Sequence, residues 1–145
     1  MPEINTEYLQ KCIDTMAQAY KMLNESEKET TIYEIYRTAL VKGFEMTIEQ
    51  CGKLPKKVIA PYFPSQKAVD MLSFKDIFRY AHKFSLLTEE ETERWMKYRD
   101  NRNNTAHDYG QKFAEETVLL IADFLTDAKR VKEIAENAGC KEETS

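Results

Sequence analysis

The chain has 145 residues, enough for one domain with a hydrophobic core of its own. Its composition, 42% hydrophobic and 32% charged, is typical of a globular protein, and a net charge of −4 argues against a general nucleic-acid-coating protein. With only 4 Gly and 4 Pro, the sequence argues against a many-stranded β fold and favours a few long helices with short connections.

Cysteine usage and the N-terminus indicate the compartment. Cys12, Cys51 and Cys140 are odd in number and lack metal-ligand spacing, as expected of reduced thiols in a cytosolic protein. The N-terminal MPEINTEYLQK has no cationic start followed by an apolar run, so we expect no signal peptide. The longest apolar run, residues 118–122, is far shorter than a membrane span. We therefore expect a cytoplasmic protein without a membrane segment.

Five segments have apolar residues at the helical spacing of three and four. The first is predicted over residues 6–23 and the second over residues 26–51. Ser26 and Glu29 have capping-box spacing at the start of the second helix, and Gly52 is predicted to end it. The predicted inward face of this helix is Ile32, Ile35, Tyr36, Ala39, Leu40, Gly43, Phe44 and Thr47.

A proline-rich stretch follows the second helix, KLPKKVIAPYFPSQ, with Pro55, Pro61 and Pro64. Proline removes a backbone donor and restricts the preceding residue, so this stretch is predicted to be an irregular connection. A short turn of helix is predicted over residues 66–72.

The third and fourth helices each begin at a predicted N-cap residue. Ser73 is the predicted N-cap of the third helix. Thr88 with Glu91 has capping-box spacing and opens the fourth helix, which continues through Trp95 and Tyr98. The predicted inward residues of the third helix are Phe74, Ile77, Phe78 and Ala81.

The last helix is predicted over residues 111–138, with Gly139 as its terminator and residues 139–145 as a disordered tail. There is no internal repeat or low-complexity tract, so residues 1–145 are predicted to form a single domain. The predicted fold is all-α, an antiparallel up-and-down bundle of about five helices.

The stretch RNNTAHDY, residues 102–109, carries the candidate site. On a regular helix Arg102 and His107 are about 140° apart, so they do not share a face. Joint action requires a bent or unwound helix, a long Arg side chain that swings round, or a second copy of the site. The weak helix formers between the two residues favour a local break. The other histidine, His82, lies at helical spacing from Phe78 and is interpreted as structural.

These residue types suit phosphate chemistry. Arg102 offers a permanent forked cation for phosphate oxygens, and His107 can transfer protons near neutral pH. Asn103 could orient the imidazole. We find no cluster of metal-ligand spacing, so no metal or cofactor is expected. A metal-independent reaction in which the 2′-hydroxyl of RNA is the nucleophile is the natural candidate. Taken alone, an Arg and a His at this spacing are more often surface or capping residues.

The segment RWMKYRDNR, residues 94–102, is locally basic, with four arginines and lysines against one acid. Lys97 and Arg99 are therefore possible RNA contacts, although a solvated helix face is the more common role of such a segment.

The whole motif R-N-x-x-x-H-x-Y, preceded by a Trp and a charged helix, resembles the HEPN superfamily and, within it, HepT-type proteins. The stretch LVKGFEMTIEQCGK, with its Phe44-Glu45 pair, is similar to the second helix of that family. SFKDIFRYAHKFSLLTEEETERWMKYRDNRNNTAHDY follows the family order of cap, helix, link, Trp helix and motif. The resemblance covers about three quarters of the chain.

The resemblance implies a homodimeric helical bundle in which the motifs of two subunits meet in a cleft. It implies a metal-independent endoribonuclease toxin with Arg102 and His107 as catalytic residues, Asn103 as a supporting residue and RNA as substrate. The implied partner is a minimal nucleotidyltransferase that acts as antitoxin by adding AMP to Tyr109.

Two other interpretations stay open. The same cleft could bind a nucleotide without turnover, as a substrate-binding subunit of a nucleotidyltransferase complex. Alternatively, the chain could be a helical interaction protein in which Arg102 and His107 only cap backbone groups.

Overall fold

Helices make up the fold of the described chain. The computed structural model describes residues 4–107 and 111–143, and the side chains of residues 104–107, 111, 113 and 139–143 are outside that description. The elements are α1 (Glu7–Asn24), α2 (Thr31–Ile59), a 3-10 helix (Ala60–Tyr62), α3 (Gln66–Asp70), α4 (Phe74–Lys83), α5 (Glu89–His107) and α6 (Gln111–Glu143). The described residues contain no strand, so the predicted all-α class is confirmed. The five-residue α3 corresponds to the predicted short turn of helix.

The order of side-chain pairs gives the directions of the long helices. The pairs are Glu45–Arg102 and Glu49–Arg99 between α2 and α5, Arg94–Asp127 and Asn101–Thr117 between α5 and α6, and Tyr33–Glu115 and Phe44–Phe124 between α2 and α6. In the first two sets, residue numbers rise along one helix as they fall along the other, so α5 is antiparallel to α2 and to α6. In the third set they rise together, so α2 and α6 are parallel. Thr6, just before α1, bonds Glu136 near the end of α6, so α1 is antiparallel to α6. The four long helices therefore run up, down, up and down, as predicted.

Trp95 of α5 lies at the centre of the core. Its ring stacks on Phe78 of α4, with centroids 4.6 Å apart, and meets Tyr98 and Phe124 edge-on. Phe124 of α6 in turn contacts Phe44 of α2 at 4.7 Å. Large aromatic rings in tilted or edge-on contact contribute strongly to packing, so this cluster joins four helices. Trp95, which is 0% exposed, is therefore a packing residue.

A buried carboxylate, Asp127, links α5 to α6. Asp127 is 3% exposed and accepts two hydrogen bonds from Arg94, at 2.8 and 2.9 Å, and one from the hydroxyl of Tyr98 at 2.5 Å. Burial and the bond to Asp127 raise the pKa of Tyr98, so its phenol remains a donor. Because all of these bonds are directional, they fix the rotation of α5 about its own axis.

The predicted start of α2 is wrong by five residues. Ser26 donates its hydroxyl to the carbonyl of Met22 rather than capping a new helix, and Glu29 has φ 66. Thr30 is the N-cap, since its hydroxyl accepts from the backbone N–H of Tyr33. A residue whose backbone φ is in the left-handed region cannot continue an α-helix. Ser26 and Glu29 therefore have the spacing of a capping box without forming one.

The predicted end of α2 at Gly52 is also wrong, because the helix continues to Ile59. Pro55 lies inside it and removes one backbone hydrogen bond, at a cost of about 3 kcal/mol in a helix interior. Leu54, Val58 and Ile59 are buried, and burial of each such side chain contributes about 1.5–3 kcal/mol. Burial therefore outweighs the loss of one donor, and the core extends two turns beyond the predicted end.

Three residues predicted to face inward on α2 are exposed: Ile32 and Ile35, each 59% exposed, and Ala39. The buried residues of this part of α2 are Tyr33, Leu40 and Phe44. Apolar residues cover more than half of the circumference there, so spacing alone does not select the buried side.

The other helix ends follow local signals in part. Ser73 caps α4 in a capping box with Asp76, and α3 begins after Ser65, whose hydroxyl accepts from Ala68. The prediction that Gly139 terminates the last helix is wrong, since α6 extends to Glu143. Among the described residues no glycine has positive φ, which is the conformation that makes glycine a helix terminator.

The two described glycines of α2 provide a test of the packing. A Cβ at Gly52 would lie 2.8 Å from Cδ2 of Phe74, a ring held against Phe78. A Cβ at Gly43 would lie 3.5 Å from Cβ of Met16, an ordinary contact. Alanine improves helix propensity by about 1 kcal/mol at either site, but overpacking costs about 1–3 kcal/mol.

We therefore expect Gly43→Ala to raise the free energy of unfolding by up to about 1 kcal/mol and Gly52→Ala to lower it by a similar amount. Urea denaturation followed by far-UV circular dichroism measures both. Stabilisation by Gly52→Ala would show that α4 does not approach α2 as closely as described.

Candidate functional site

The helix that carries the motif, α5, begins at a capping box. The hydroxyl of Thr88 accepts from the N–H of Glu91 at 3.1 Å, and the carboxylate of Glu91 accepts from the N–H of Thr88 at 2.9 Å. This prediction is confirmed. The helix then continues without interruption to His107.

The predicted local break between Arg102 and His107 is therefore absent from the backbone. Weak helix formers cost only about 0.5 kcal/mol each, and a helix already held by the buried Trp95 and Tyr98 propagates one bond per added residue. On the continuous helix Arg102 and His107 remain about 140° apart. A bent or unwound helix is therefore excluded. Arg102 and His107 can act together only if the long Arg side chain swings round or a second copy of the site takes part.

The side chain of Arg102 extends from α5 to α2. Its guanidinium Nη2 is 3.7 Å from Oε2 of Glu45, and the side chains of the two residues are 23% and 22% exposed. Because both groups are largely withdrawn from water, their attraction is screened less than that of a surface pair. The motif arginine is thus already engaged by an acid of α2.

One turn along the same helices, Arg99 makes a second pair of this kind. Its Nη1 is 3.3 Å from Oε1 of Glu49, and its guanidinium carbon lies 5.1 Å from the ring centroid of Phe74. We call the four residues Glu45, Glu49, Arg99 and Arg102 the charge seam. The seam brings two of the predicted residues, Arg99 and Arg102, to one line between α2 and α5.

The third predicted cation, Lys97, is exposed and lies elsewhere. It is about 160° around α5 from Arg99 and about 140° from Arg102. The basic segment is therefore not one continuous patch: Arg94 pairs with Asp127, and the two seam arginines pair with acids of α2.

Two asparagines of the motif helix have different environments. Asn103, the predicted supporting residue, is exposed. Asn101 is 7% exposed and donates to the hydroxyl of Thr117 on α6 at 2.7 Å. Sequence reasoning missed Asn101. The available signal was the spacing of Arg94, Tyr98 and Asn101 at four and three, which places a polar stripe on one side of the helix.

The start of α6 is held by a cluster that the sequence did not indicate. Glu115 accepts from the hydroxyl of Tyr33 at 3.1 Å and from Nη1 of Arg37 at 2.8 Å. Partial burial and the bond to Glu115 raise the pKa of Tyr33, which keeps the phenol protonated. Only 3 residues separate α5 from α6, so the cluster also fixes where the chain re-enters the bundle after the motif.

The other predicted site residues have these positions. The backbone of His107 belongs to the last turn of α5, but its side chain is outside the described residues, as is Tyr109 entirely. The roles of both stay predictions. His82 contacts the carbonyl of Leu87 through Nδ1 at 3.0 Å, so its structural interpretation is confirmed.

Within residues 4–107 and 111–143, no group of three or more His, Cys, Asp and Glu side chains is placed to hold a metal ion. In the same residues no helix has the length and apolarity needed to cross a membrane. Cys12 and Cys51 are free and buried, and burial raises the pKa of the Cys51 thiol well above its usual value. The side chain of Cys140 is outside the described residues.

Comparison with solved structures supports the fold. A Haemophilus influenzae protein, described as having the fold of a substrate-binding domain of a nucleotidyltransferase, superposes with a TM-score of 0.75 at 23% identity. The match covers 90% of this chain and 98% of that one. A Thermus thermophilus protein has a TM-score of 0.67 at 21% identity, covering 85% and 94%.

Sequence comparison adds a relative and a family. A Haemophilus influenzae protein named probable ribonuclease HepT is 32% identical over 88 residues, which are 61% of this chain and 59% of the relative. The chain thus spans less than two thirds of that relative's length. Residues 6–137 match the model of a family described as "nucleotidyltransferase substrate binding protein like". Because this match spans most of the chain, the protein belongs to the family of nucleotidyltransferase substrate-binding-like proteins.

Proposed function

We propose that the chain is a HepT-like toxin: a metal-independent endoribonuclease that acts as a homodimer and is inhibited by a partner nucleotidyltransferase. The observation that carries the proposal is the position of Arg102, on a continuous helix beside α2 and within the motif R-N-x-x-x-H-x-Y. The relative named probable ribonuclease HepT supports the activity, and the family supports the nucleotidyltransferase partner.

In the proposed reaction the 2′-hydroxyl oxygen of RNA attacks the adjacent phosphorus. The bond from phosphorus to the 5′-oxygen of the next nucleotide breaks, which leaves a 2′,3′-cyclic phosphate and a 5′-hydroxyl. His107 takes the proton of the attacking hydroxyl or gives one to the leaving oxygen, and Arg102 stabilises the negative charge on the phosphorane. Water takes part in the other proton transfer, so one His107 and one Arg102 are sufficient for each reaction.

The continuous helix, together with the pairing of Arg102 with Glu45 of α2, is the reason for proposing a dimer. Arg102 and His107 are about 140° apart on α5, so a single helix presents them in different directions. In a homodimer, Arg102 of one subunit can face His107 of the other. Asn103, exposed on the last turns of the same helix, would support the histidine.

The proposed control is adenylylation of Tyr109. Each added AMP brings a phosphate into the neighbourhood of Arg102, where it competes with the phosphates of RNA for the same cation. Localisation in the cytoplasm, where RNA and the partner are present, is part of this proposal.

A second function, nucleotide binding without turnover, is favoured by one observation. Both seam arginines are paired with acids of α2, which leaves little free positive charge on this part of the described surface for a long RNA. The family description as substrate-binding is consistent with it.

The histidine variants test catalysis. We expect the wild-type protein to cleave single-stranded RNA in EDTA, and His107→Ala to reduce the rate by at least about 100-fold, because general acid–base catalysis contributes that much or more. His82→Ala is the matched control, since it removes the other histidine, which contacts a backbone carbonyl. Rates are measured on a fluorophore-labelled RNA, and equal activity of the two variants would contradict the proposal.

Intact mass tests the regulation and separates the two functions. After co-expression with a nucleotidyltransferase of a toxin–antitoxin pair, we expect the mass to increase in steps of one AMP. Tyr109→Phe should abolish the increase, while Tyr62→Phe, which changes an exposed tyrosine outside the motif, should not. A tight complex with no added mass, together with stoichiometric nucleotide binding and no RNA cleavage, would support the binding function instead.

A further inference from the structure

The charge seam contains an acid that is not part of the proposed chemistry. Glu45 lies on α2, far from the motif in sequence, yet its Oε2 is 3.7 Å from Nη2 of Arg102. A catalytic cation that must bind phosphate is thereby already near a competing carboxylate. Such an arrangement weakens phosphate binding unless the carboxylate has a compensating effect.

The geometry of the Glu45–Arg102 pair indicates what compensating effect the carboxylate can have. The distance of 3.7 Å is an ion pair without the close fork of a bidentate Arg–carboxylate pair, in contrast to Arg94 and Asp127 at 2.8 and 2.9 Å. A guanidinium has five N–H donors, and a carboxylate engages at most two of them. Glu45 can therefore orient Arg102 and by itself engages no more than two of the five donors.

Burial distinguishes this pair from its neighbour. The side chains of Glu45 and Arg102 are 22% and 23% exposed, whereas Glu49 of the second pair is 53% exposed. An exposed carboxylate is mobile and screened, so it restrains its partner weakly. Glu49 has the shorter contact with its arginine, 3.3 Å against 3.7 Å, but Glu45 is the less exposed acid, so its charge acts on its arginine with less screening.

We propose that Glu45 is a positioning residue for Arg102, which fixes the guanidinium in the direction from which it receives a phosphate group. The inference rests on the proposed ribonuclease function and adds a residue to its site. Glu45 has two opposing effects: its charge weakens RNA binding, and its contact with Arg102 raises the rate of the chemical step.

The neutral variants Glu45→Gln and Glu49→Gln test the proposal. Each removes one negative charge from the same seam and keeps the shape of the side chain, one helical turn apart. Both should lower KM for RNA by about twofold to fivefold, because each removes repulsion of phosphate. Only Glu45→Gln should also lower kcat, by about tenfold or more, because a misplaced catalytic group loses that much or more. Glu45→Asp, which keeps the charge, should recover part of kcat.

A second measurement does not depend on activity. The ¹⁵N NMR signals of the Arg102 guanidinium, assigned with Arg102→Lys, report how fast the group rotates. We expect faster rotation in Glu45→Gln and no change in Glu49→Gln. Equal kcat values for the two glutamine variants, or equal rotation of Arg102 in both, would overturn the proposal.

The two measurements also separate this inference from the ribonuclease proposal. If the wild-type protein does not cleave RNA, the ribonuclease function fails. The comparison of Arg102 rotation then decides by itself whether Glu45 positions the arginine.

Discussion

The rotation of α5 about its own axis is the constraint on which the candidate site depends. Arg94 and Tyr98 bond the buried Asp127, and Asn101 bonds Thr117, so one stripe of α5 is fixed against α6. These three residues of α5 lie within about 60° of one another around the helix. A rotation of the helix would break several buried hydrogen bonds at once, each expensive to leave unmade.

With that stripe fixed, the direction of the motif arginine follows. Arg102 lies about 100° around α5 from Asn101, which turns it away from α6 and towards α2. There it meets Glu45, and one turn earlier Arg99 meets Glu49. The buried network between α5 and α6 thus positions the charge seam between α5 and α2. A polar network in the core serves the site through helix geometry rather than through contact with a substrate.

Much of this architecture was predictable because local signals agree with the fold. The capping boxes at Ser73 and at Thr88, and the burial of Trp95, follow from spacing alone. The same kind of signal failed at Ser26, where Glu29 has a left-handed backbone. It failed at Gly52 because the glycine accommodates the ring of Phe74, a contact between residues distant in sequence.

The sequence predicts which residues form the candidate site, but it does not predict their contacts. The motif identified Arg102, His107 and Tyr109, and weak helix propensity suggested a break that the packed helix does not have. Glu45 and Asp127 could not be assigned to their partners from sequence, because ion pairs between helices depend on which faces meet. The polar spacing of Arg94, Tyr98 and Asn101 was visible and would have indicated a bonded stripe, but not its partner helix.

A continuous α5 separates Arg102 from His107 in one subunit, and we propose that a second copy completes the site. The experiment is to mix the variants Arg102→Ala and His107→Ala, each expected to be inactive, by partial unfolding and refolding. Each heterodimer then contains one intact Arg102 and one intact His107 on different subunits. We expect the mixture to regain metal-independent RNA cleavage in proportion to the heterodimer formed. Verified heterodimers that remain as inactive as either parent would contradict it.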